Sequence, residues 1–487
     1  MIDLDVFIVS MVFISPILFA SFVLLAGNKI TINKIFPVIS ILISIFCTIL
    51  VWKKLNLSES KVIEINEIFY IDGFSILMQL MIEIVALITI LYSPQYLAKL
   101  YSHRKNKFHL YYSTILYSTA FMNLSFVLNN LFLIYIFLEL STILVIYLIA
   151  FNLQKEDLKA SFKYLLFINV GILFSLLGII LLSYFTGTLI FLSNISFYVA
   201  SSPKHIALIC GVLFIIGFFT KSGLIPFHVW LPDSYSESPS PITVFLAGAV
   251  TKIGFYGIIR TVSVFSFHFP EIQTLVIILS SLSMFFGAVL AFNQRDLKKM
   301  IAYCSISEMG FIASALVLNS YMGILGGVFH LINHTLMKGI LFFSTGILIF
   351  AYGSSKIDEI RKSVGNISMV SPMFFIGALA VAGMPMFGSF LSSITIFLAL
   401  TESGFLLTSI ILILSGFISG LALLRTAIFL FWSKKEQNRI LNKIQLPTSM
   451  VLSTLVFTFL LIIFGVLPEI IYPLLEIATS GIIKMLH

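Results

Sequence analysis

The chain is a succession of apolar runs, separated by short polar loops, and each run is long enough to cross a bilayer. A hydrocarbon core about 30 Å thick needs about 20 such residues as a helix. Hydrocarbon offers backbone N–H and C=O groups no partner, so only helices or closed barrels can cross it. Runs of helical length centre near residues 15, 42, 80, 119, 141, 172, 216, 252, 281, 309, 337, 384, 418 and 460. The expected fold is therefore an all-α polytopic membrane protein with about 14 transmembrane helices. Composition agrees: 59% of residues are hydrophobic and 10% charged, against roughly a quarter charged in soluble domains. The long 322–351 and 369–399 runs leave room for tilt, or for kinks at Pro372 or Pro385.

Basic residues in alternate loops give an independent check on the helix order, because cytoplasmic loops of membrane proteins are rich in Lys and Arg. One set of alternate loops carries 19 of the 29 basic residues, including Lys99, Arg104, Lys105 and Lys107, the Arg295, Lys298 and Lys299 group, and Lys434, Lys435, Arg439 and Lys443. The other set carries five, and both chain ends fall on that side, away from the cytoplasm. The net charge of +8 therefore reads as a topology signal, with no nucleic-acid partner implied. Met1–Val6 carries Asp3 and Asp5 with no basic start or cleavage site, which points to a retained first helix. Cys47, Cys210 and Cys304 lie in apolar runs without ligand or redox spacing, so no metal site, cofactor or disulfide framework is expected.

Five basic residues remain inside the runs: Lys221, Lys252, Arg260, Lys338 and Arg425. A charge near the bilayer centre costs roughly 2.5–3.5 kcal/mol on insertion scales and marks a functional site by default. Arg260 and Arg425 lie near enough to helix ends to snorkel, leaving Lys221, Lys252 and Lys338 to be explained. Among the acids, Glu83, Glu139 and Glu308 are internal and Asp72 is close to a boundary. Glu139 is as deep as any residue in the chain and pairs most naturally with Lys221, because an opposite charge favours the ionised form of both. Glu83 reads as structural.

His330, His334 and Lys338 recur at intervals of four, which puts them on one helical face as a relay of titratable groups requires. The two histidines have the spacing of metal ligands, but no third ligand of matching quality appears. Pro226 interrupts the run that holds Lys221, and a break in hydrocarbon is tolerated only where it is buried in protein or lines a hydrated cavity. His228 sits beside that break, and Asp233 and Glu237 follow in the cytoplasmic-side loop, which makes these three candidates for a proton entrance. The stretch from Phe292 to Ile312 places Asp296 and three basic residues before Ser305, Ser307 and Glu308, with a topology anchor and a channel entrance as competing readings.

The pattern K-x5-F-H-x-W-L-P-D-x-Y from Lys221, the pattern T-K-x-G-x-Y-x3-R from Thr251, DLKKMIAYCSISEMG and H-x3-H-x3-K together cover about residues 110–430. In this order they resemble the antiporter-like membrane subunits shared by respiratory complex I and the Mrp-type multisubunit cation/proton antiporters, with wording closer to the Mrp-type D subunit. The resemblance implies two inverted five-helix repeats, each with one broken helix, around Pro226 and Pro385. The chain would then divide into 1–109, an N-terminal three-helix region; 110–266 and 267–432, the two repeats; and 433–487, a C-terminal helix region. The resemblance also implies a mid-membrane chain of charges, carried here by Glu139, Lys221, Lys252, His330, His334 and Lys338. Relatives place a lysine or glutamate in the second broken helix, whereas GMPMFGSFLSSITIF puts Ser393 there, with Ser392 beside it. A hydroxyl can relay a hydrogen bond but holds no charge at neutral pH.

Implied partners are other membrane subunits, the lipid bilayer, protons and, through the Mrp-type assemblies, Na+. The expected setting is a bacterial-type inner membrane or an equivalent energy-coupling membrane. Three readings follow: a proton-translocating antiporter subunit, a proton-pumping subunit of NADH-quinone oxidoreductase, or a non-pumping scaffold of the same family. The chain has no dinucleotide fingerprint, iron–sulfur cysteine cluster or flavin-binding segment, so redox chemistry would belong to partners.

Overall fold

A computed structural model of the chain describes residues 4–58, 61–363, 369–432 and 445–486. Lys434, Lys435, Arg439 and Lys443 lie outside the described residues. Eleven helices among the described residues are long and apolar enough to cross a membrane. The expected count of about fourteen exceeds this by three, and the difference is local. Phe108–Val127 and Leu297–Leu316 are each 20 residues long but are not among the eleven, and the expected run at 369–399 is split into Val370–Val381 and Gly388–Glu402.

The ends of these helices follow from local chemistry. Asn130 accepts from Phe132 N and Leu133 N, Ser320 from Gly323 N and Asp296 from Lys299 N, each satisfying first-turn donors that have no partner within the helix. Gly187, Gly223 and Gly353 end helices in the left-handed conformation that favours glycine.

Burial sorts the helices into an inner group and a lipid-facing group. Ser240–His268 is buried throughout its apolar window, and Tyr321–Tyr352 and Gly73–Leu100 nearly so. Most of the apolar window of Asp5–Ala26, Lys155–Thr186 and Thr448–Val466 lies outside the core, with Phe162, Val170 and Leu173 of the 155–186 helix left exposed. In water such a surface would be a liability, whereas in lipid it is the expected solvent contact. One feature departs from an all-helical reading: Val62–Ile65 and Phe69–Asp72 form an antiparallel hairpin, with Val62 opposite Asp72, on the side where the 73–100 helix begins.

Two breaks position the interior chemistry. Lys204–Ser222 stops at Gly223, and the chain turns through 223–230 before the short Leu231–Glu237 helix. Val370–Val381 stops likewise, and the chain restarts at Gly388.

Candidate functional site

Lys221 lies in the last turn of its helix, 1% exposed, with its Nζ 3.6 Å from Glu139 Oε2. It also donates to Leu138 O at 3.1 Å and to Thr142 Oγ1 at 3.2 Å, so the ammonium is held by the 131–149 helix as a whole. The break opens this position. Trp230 Nε1 reaches back to the freed Thr220 carbonyl at 2.9 Å, and Ser283 Oγ accepts from Ile225 N at 3.0 Å, which meets the requirement that backbone groups in the membrane interior find partners. A Cβ on Gly223 would strike Leu231 Cδ1, so the turn is closed as well as left-handed.

The second cluster is built around Lys252. Residues 246–250 and 258–262 of the 240–268 helix are wound as π-turns, a distortion common at functional sites. Lys252 Nζ donates to Ala247 O, five residues back, at 2.8 Å and lies 2.6 Å from His334 Nδ1. His334 Nε2 is 3.8 Å from Glu308 Oε2, and Glu308 Oε2 is 2.7 Å from Lys338 Nζ. Lys252, His334, Glu308 and Lys338 thus form one buried run across three helices. His330, four residues before His334, turns instead to Ser392, with Nδ1 to Oγ at 3.0 Å, and Asn333 Nδ2 lies 3.3 Å from the same hydroxyl. His330 Nε2 and Asn333 Oδ1 are buried without a protein partner. Such atoms are where water is held in a protein interior.

Among the described residues no hydrogen bond or ion pair joins the Glu139–Lys221 pair to the Lys252 run. The two approach at Ser222 and Gly254, where a Cβ on Gly254 would strike Ser222 Oγ, a buried hydroxyl with no protein partner. Ser222 is a residue that reading the sequence overlooks, since one serine next to a lysine carries no pattern.

Two expectations are corrected. The residue of the second broken helix that meets His330 and Asn333 is Ser392, fully buried, while Ser393 is half-buried. The helical spacing decides this, because Ser392 falls on the stripe with Ser389 and Ile396 that packs inward. Arg260 does not snorkel: it is 1% exposed and makes a fork-to-fork pair with Asp72 at 2.6 and 2.7 Å, a further bond to Ser75 Oγ at 2.9 Å, and lies over the Tyr256 ring at 5.0 Å. Of the basic residues at 295–299, Lys298 is 3% exposed and donates to Ser236 O at 3.0 Å and also to Ser238 O, closing the C-terminal end of the 231–237 helix. Asp233 is tied to two lysines, Lys163 at 2.7 Å and Lys299 at 3.3 Å. Partial burial works against its charge, but those two lysines prevail and hold the carboxyl below the usual carboxylate range.

The other entrance candidates lie close by. Glu237 accepts from Ser236 Oγ at 2.9 Å, and His228 is half-buried in the break with Nδ1 lacking a protein partner. Arg425 donates to Phe292 O at 3.1 Å from a partly exposed position. Among the described residues no group of three or more His, Cys, Asp or Glu is placed to hold a metal ion.

A broken-helix bundle with titratable side chains buried at mid-depth defines the class: a multi-pass, antiporter-like membrane subunit. Residues 129–419 match the family described as NADH:quinone oxidoreductase/Mrp antiporter, transmembrane, and the chain belongs to it. It is 28% identical over 369 residues, 75% of this chain and 73% of the relative, to the D subunit of the Na(+)/H(+) antiporter of Alkalihalophilus pseudofirmus. A second relative, the D subunit of the Na(+)/H(+) antiporter of Bacillus subtilis, is 27% identical over 415 residues, 85% of this chain and 83% of that protein. In fold it is similar to a chain of the archaeal membrane-bound sulfane sulfur reductase, with a TM-score of 0.88, 24% identity and 98% of each chain covered. It is also similar to a chain of the Mrp complex from Dietzia sp., with a TM-score of 0.84, 17% identity and coverage of 98% and 99%.

Proposed function

We propose that the chain is the proton-translocating membrane subunit of a multisubunit cation/proton antiporter, working with other membrane subunits in a bacterial inner or equivalent energy-coupling membrane with both termini outside the cytoplasm. The observation that carries this reading is the 2.6 Å approach of Lys252 Nζ to His334 Nδ1 in a fully buried setting. Two basic nitrogens at that distance hold one proton between them, which is what a relay needs. Protons reach Lys221 from the side of Asp233, Glu237 and His228. Glu139 close by favours the charged lysine, and separating the pair leaves a desolvated ammonium ready to give its proton towards Lys252. His334, Glu308 and Lys338 carry it onward, and Ser392 with His330 completes the path through a hydroxyl where relatives use a charge. Two inverted repeats, 110–266 and 267–432, between N-terminal and C-terminal helix regions and within a fourteen-span topology, are part of the same reading.

The two relatives, both D subunits of Na(+)/H(+) antiporters, favour antiport over a place in NADH-quinone oxidoreductase. A non-pumping scaffold is the second reading, favoured by the serine at the second break. Reconstituting the native assembly and following the pH gradient decides between them. Lys221→Ala and Glu139→Ala should each abolish proton movement while the assembly forms; normal flux in both would sink the proposal. A rise in flux with Ser392→Lys would mean that the missing charge limits the second half.

A further inference from the structure

The mid-membrane run leaves one buried acid unused. Glu83, residue 11 of the 28-residue Gly73–Leu100 helix, is fully buried, and none of the ion pairs among the described residues includes it. At 1.5 Å per residue it lies roughly 15 Å from the helix start, near the middle of the hydrocarbon. A lone carboxylate there must be neutralised, because an unpaired charge in that setting is the costliest arrangement available. The surroundings are polar groups from three other helices. Glu83 Oε1 lies 2.5 Å from Ser44 Oγ, 3.1 Å from Thr48 Oγ1 and 2.9 Å from Asn123 Nδ2. Ser44 Oγ is in turn 2.6 Å from the Val12 carbonyl.

Counting protons at this cage identifies what it holds. Ser44 has one hydroxyl hydrogen and two acceptors at hydrogen-bond distance, Val12 O and Glu83 Oε1. If it donates to Val12, the Ser44–Glu83 contact needs a proton on Glu83 or, with the two oxygens drawn further apart, a cation bound by both. Two further oxygens, Glu83 Oε2 and Asn123 Oδ1, are buried with no protein partner. Asn123 presents its Nδ2 to Glu83 Oε1, Ser44 Oγ and Val12 O; a half-turn of that amide brings Oδ1 to the same three atoms, where a protonated carboxyl has no need of it and a cation does. With the amide turned, the cage is a set of oxygens, which selects a hard cation. A single carboxylate neutralises one positive charge, which selects a monovalent ion over Mg2+ or Ca2+. The Cys47 thiol, on the helix of Ser44 and Thr48, is the other titratable group that the Glu83 charge reaches. The 4–26 helix contributes a carbonyl, the 108–127 helix Asn123, and Gln79 on Glu83's own helix bonds Asn123 O at 3.4 Å.

We propose that Glu83, Ser44, Thr48, Asn123 and the Val12 carbonyl form a binding site in the N-terminal helices where a monovalent cation of the Na+ class exchanges with a proton. In the exchange the carboxylic O–H bond breaks, its proton leaves to water, and the carboxylate takes one Na+, so charge balances. The identity of the cation rests on the antiporter reading above, while the cage rests on its own geometry.

The test is equilibrium binding of radioactive Na+ to the purified native assembly between pH 6 and 9, comparing wild type with Glu83→Gln and Asn123→Leu. The glutamine reproduces the protonated carboxyl in shape, so the cage keeps its packing. Bound Na+ should rise with pH in the wild type, with proton release on Na+ addition, and affinity should fall by about tenfold or more in each variant. Glu139→Gln, which disables the proton route of the antiporter reading, should leave this binding intact, so the two ideas fail separately. Unchanged Na+ binding in Glu83→Gln, or no Na+ binding by the wild type at any of these pH values, would overturn the proposal and leave Glu83 a protonated packing hub.

Discussion

The two helix breaks use one backbone device for different chemistry. Each stops at a glycine of nearly equal left-handed φ, +71° at Gly223 and +70° at Gly383. Each satisfies a freed carbonyl with a side chain from beyond the break, Trp230 to Thr220 O in the first and Ser389 to Ala380 O, at 2.9 Å, in the second. The first then places an ammonium, Lys221, against a carboxylate. The second places only Ser389 and Ser392, and the charges of that half sit on the neighbouring 297–316 and 321–352 helices as Glu308, His334 and Lys338. Breaking a helix in lipid is therefore a geometric requirement with its own solution, separable from what charge stands beside it.

The sharpest way to break this comparison is to remove the charge that one side has and the other lacks. Lys221→Ala should reduce proton flux in reconstituted vesicles by about 100-fold or more, the scale for losing a positioned proton carrier; a loss of under tenfold would mean that the two breaks contribute alike. Stability separates them next. Alanine costs the left-handed backbone about 1–2 kcal/mol at either glycine. A Cβ on Gly223 would also strike Leu231, whereas Gly383 has nothing within 4 Å of the added atom. Thermal unfolding in detergent should therefore fall further for Gly223→Ala than for Gly383→Ala, and equal shifts would show that the first turn is open enough to adjust. At the second break, Ser392→Ala should lower flux by roughly tenfold, the cost of one buried hydrogen-bond link, and Ser393→Ala should leave it unchanged. The smallest expected effect lies at Asp233, beyond the first break. Asp233 has its carboxyl held down between Lys163 and Lys299, so its stabilising contribution is present above the ordinary carboxylate range and is lost as pH falls through its depressed native value. A stability profile between pH 5 and 2.5 should be flatter in Asp233→Asn than in the parent.

Particular residues mark how far the sequence could be read. Lys221, Lys252 and Lys338 are conspicuous because charge in an apolar run has few explanations, and the i, i+4 spacing of His330, His334 and Lys338 puts them on one stripe whatever the packing. Periodicity cannot say which neighbour each side chain meets. His330 turns to Ser392 while His334 turns to Lys252, a difference set by the helices on either side of the 321–352 helix. The same limit explains Arg260 and Asp72, which are 188 positions apart and both close to span ends, so each alone looks like a residue able to reach water. The π-turns around Lys252 and the hairpin at 62–72 are equally silent, since the first depends on packing on all sides and the second on where the preceding helix delivers the chain.

By itself the sequence determined that the chain must live in lipid, because no soluble core could absorb this much apolar surface. It also determined which few charged residues had to be explained, because hydrocarbon makes each of them costly. Glu139 with Lys221 was legible in that way, since they are the deepest acid and a nearby buried base. The tertiary structure alone decided the other pairings: Lys252 with His334, Glu308 with Lys338, Asp72 with Arg260, and Glu83 with hydroxyls and an amide instead of a base. Partners in a buried cluster come from helices far apart in the chain, and only packing determines which of them share a face.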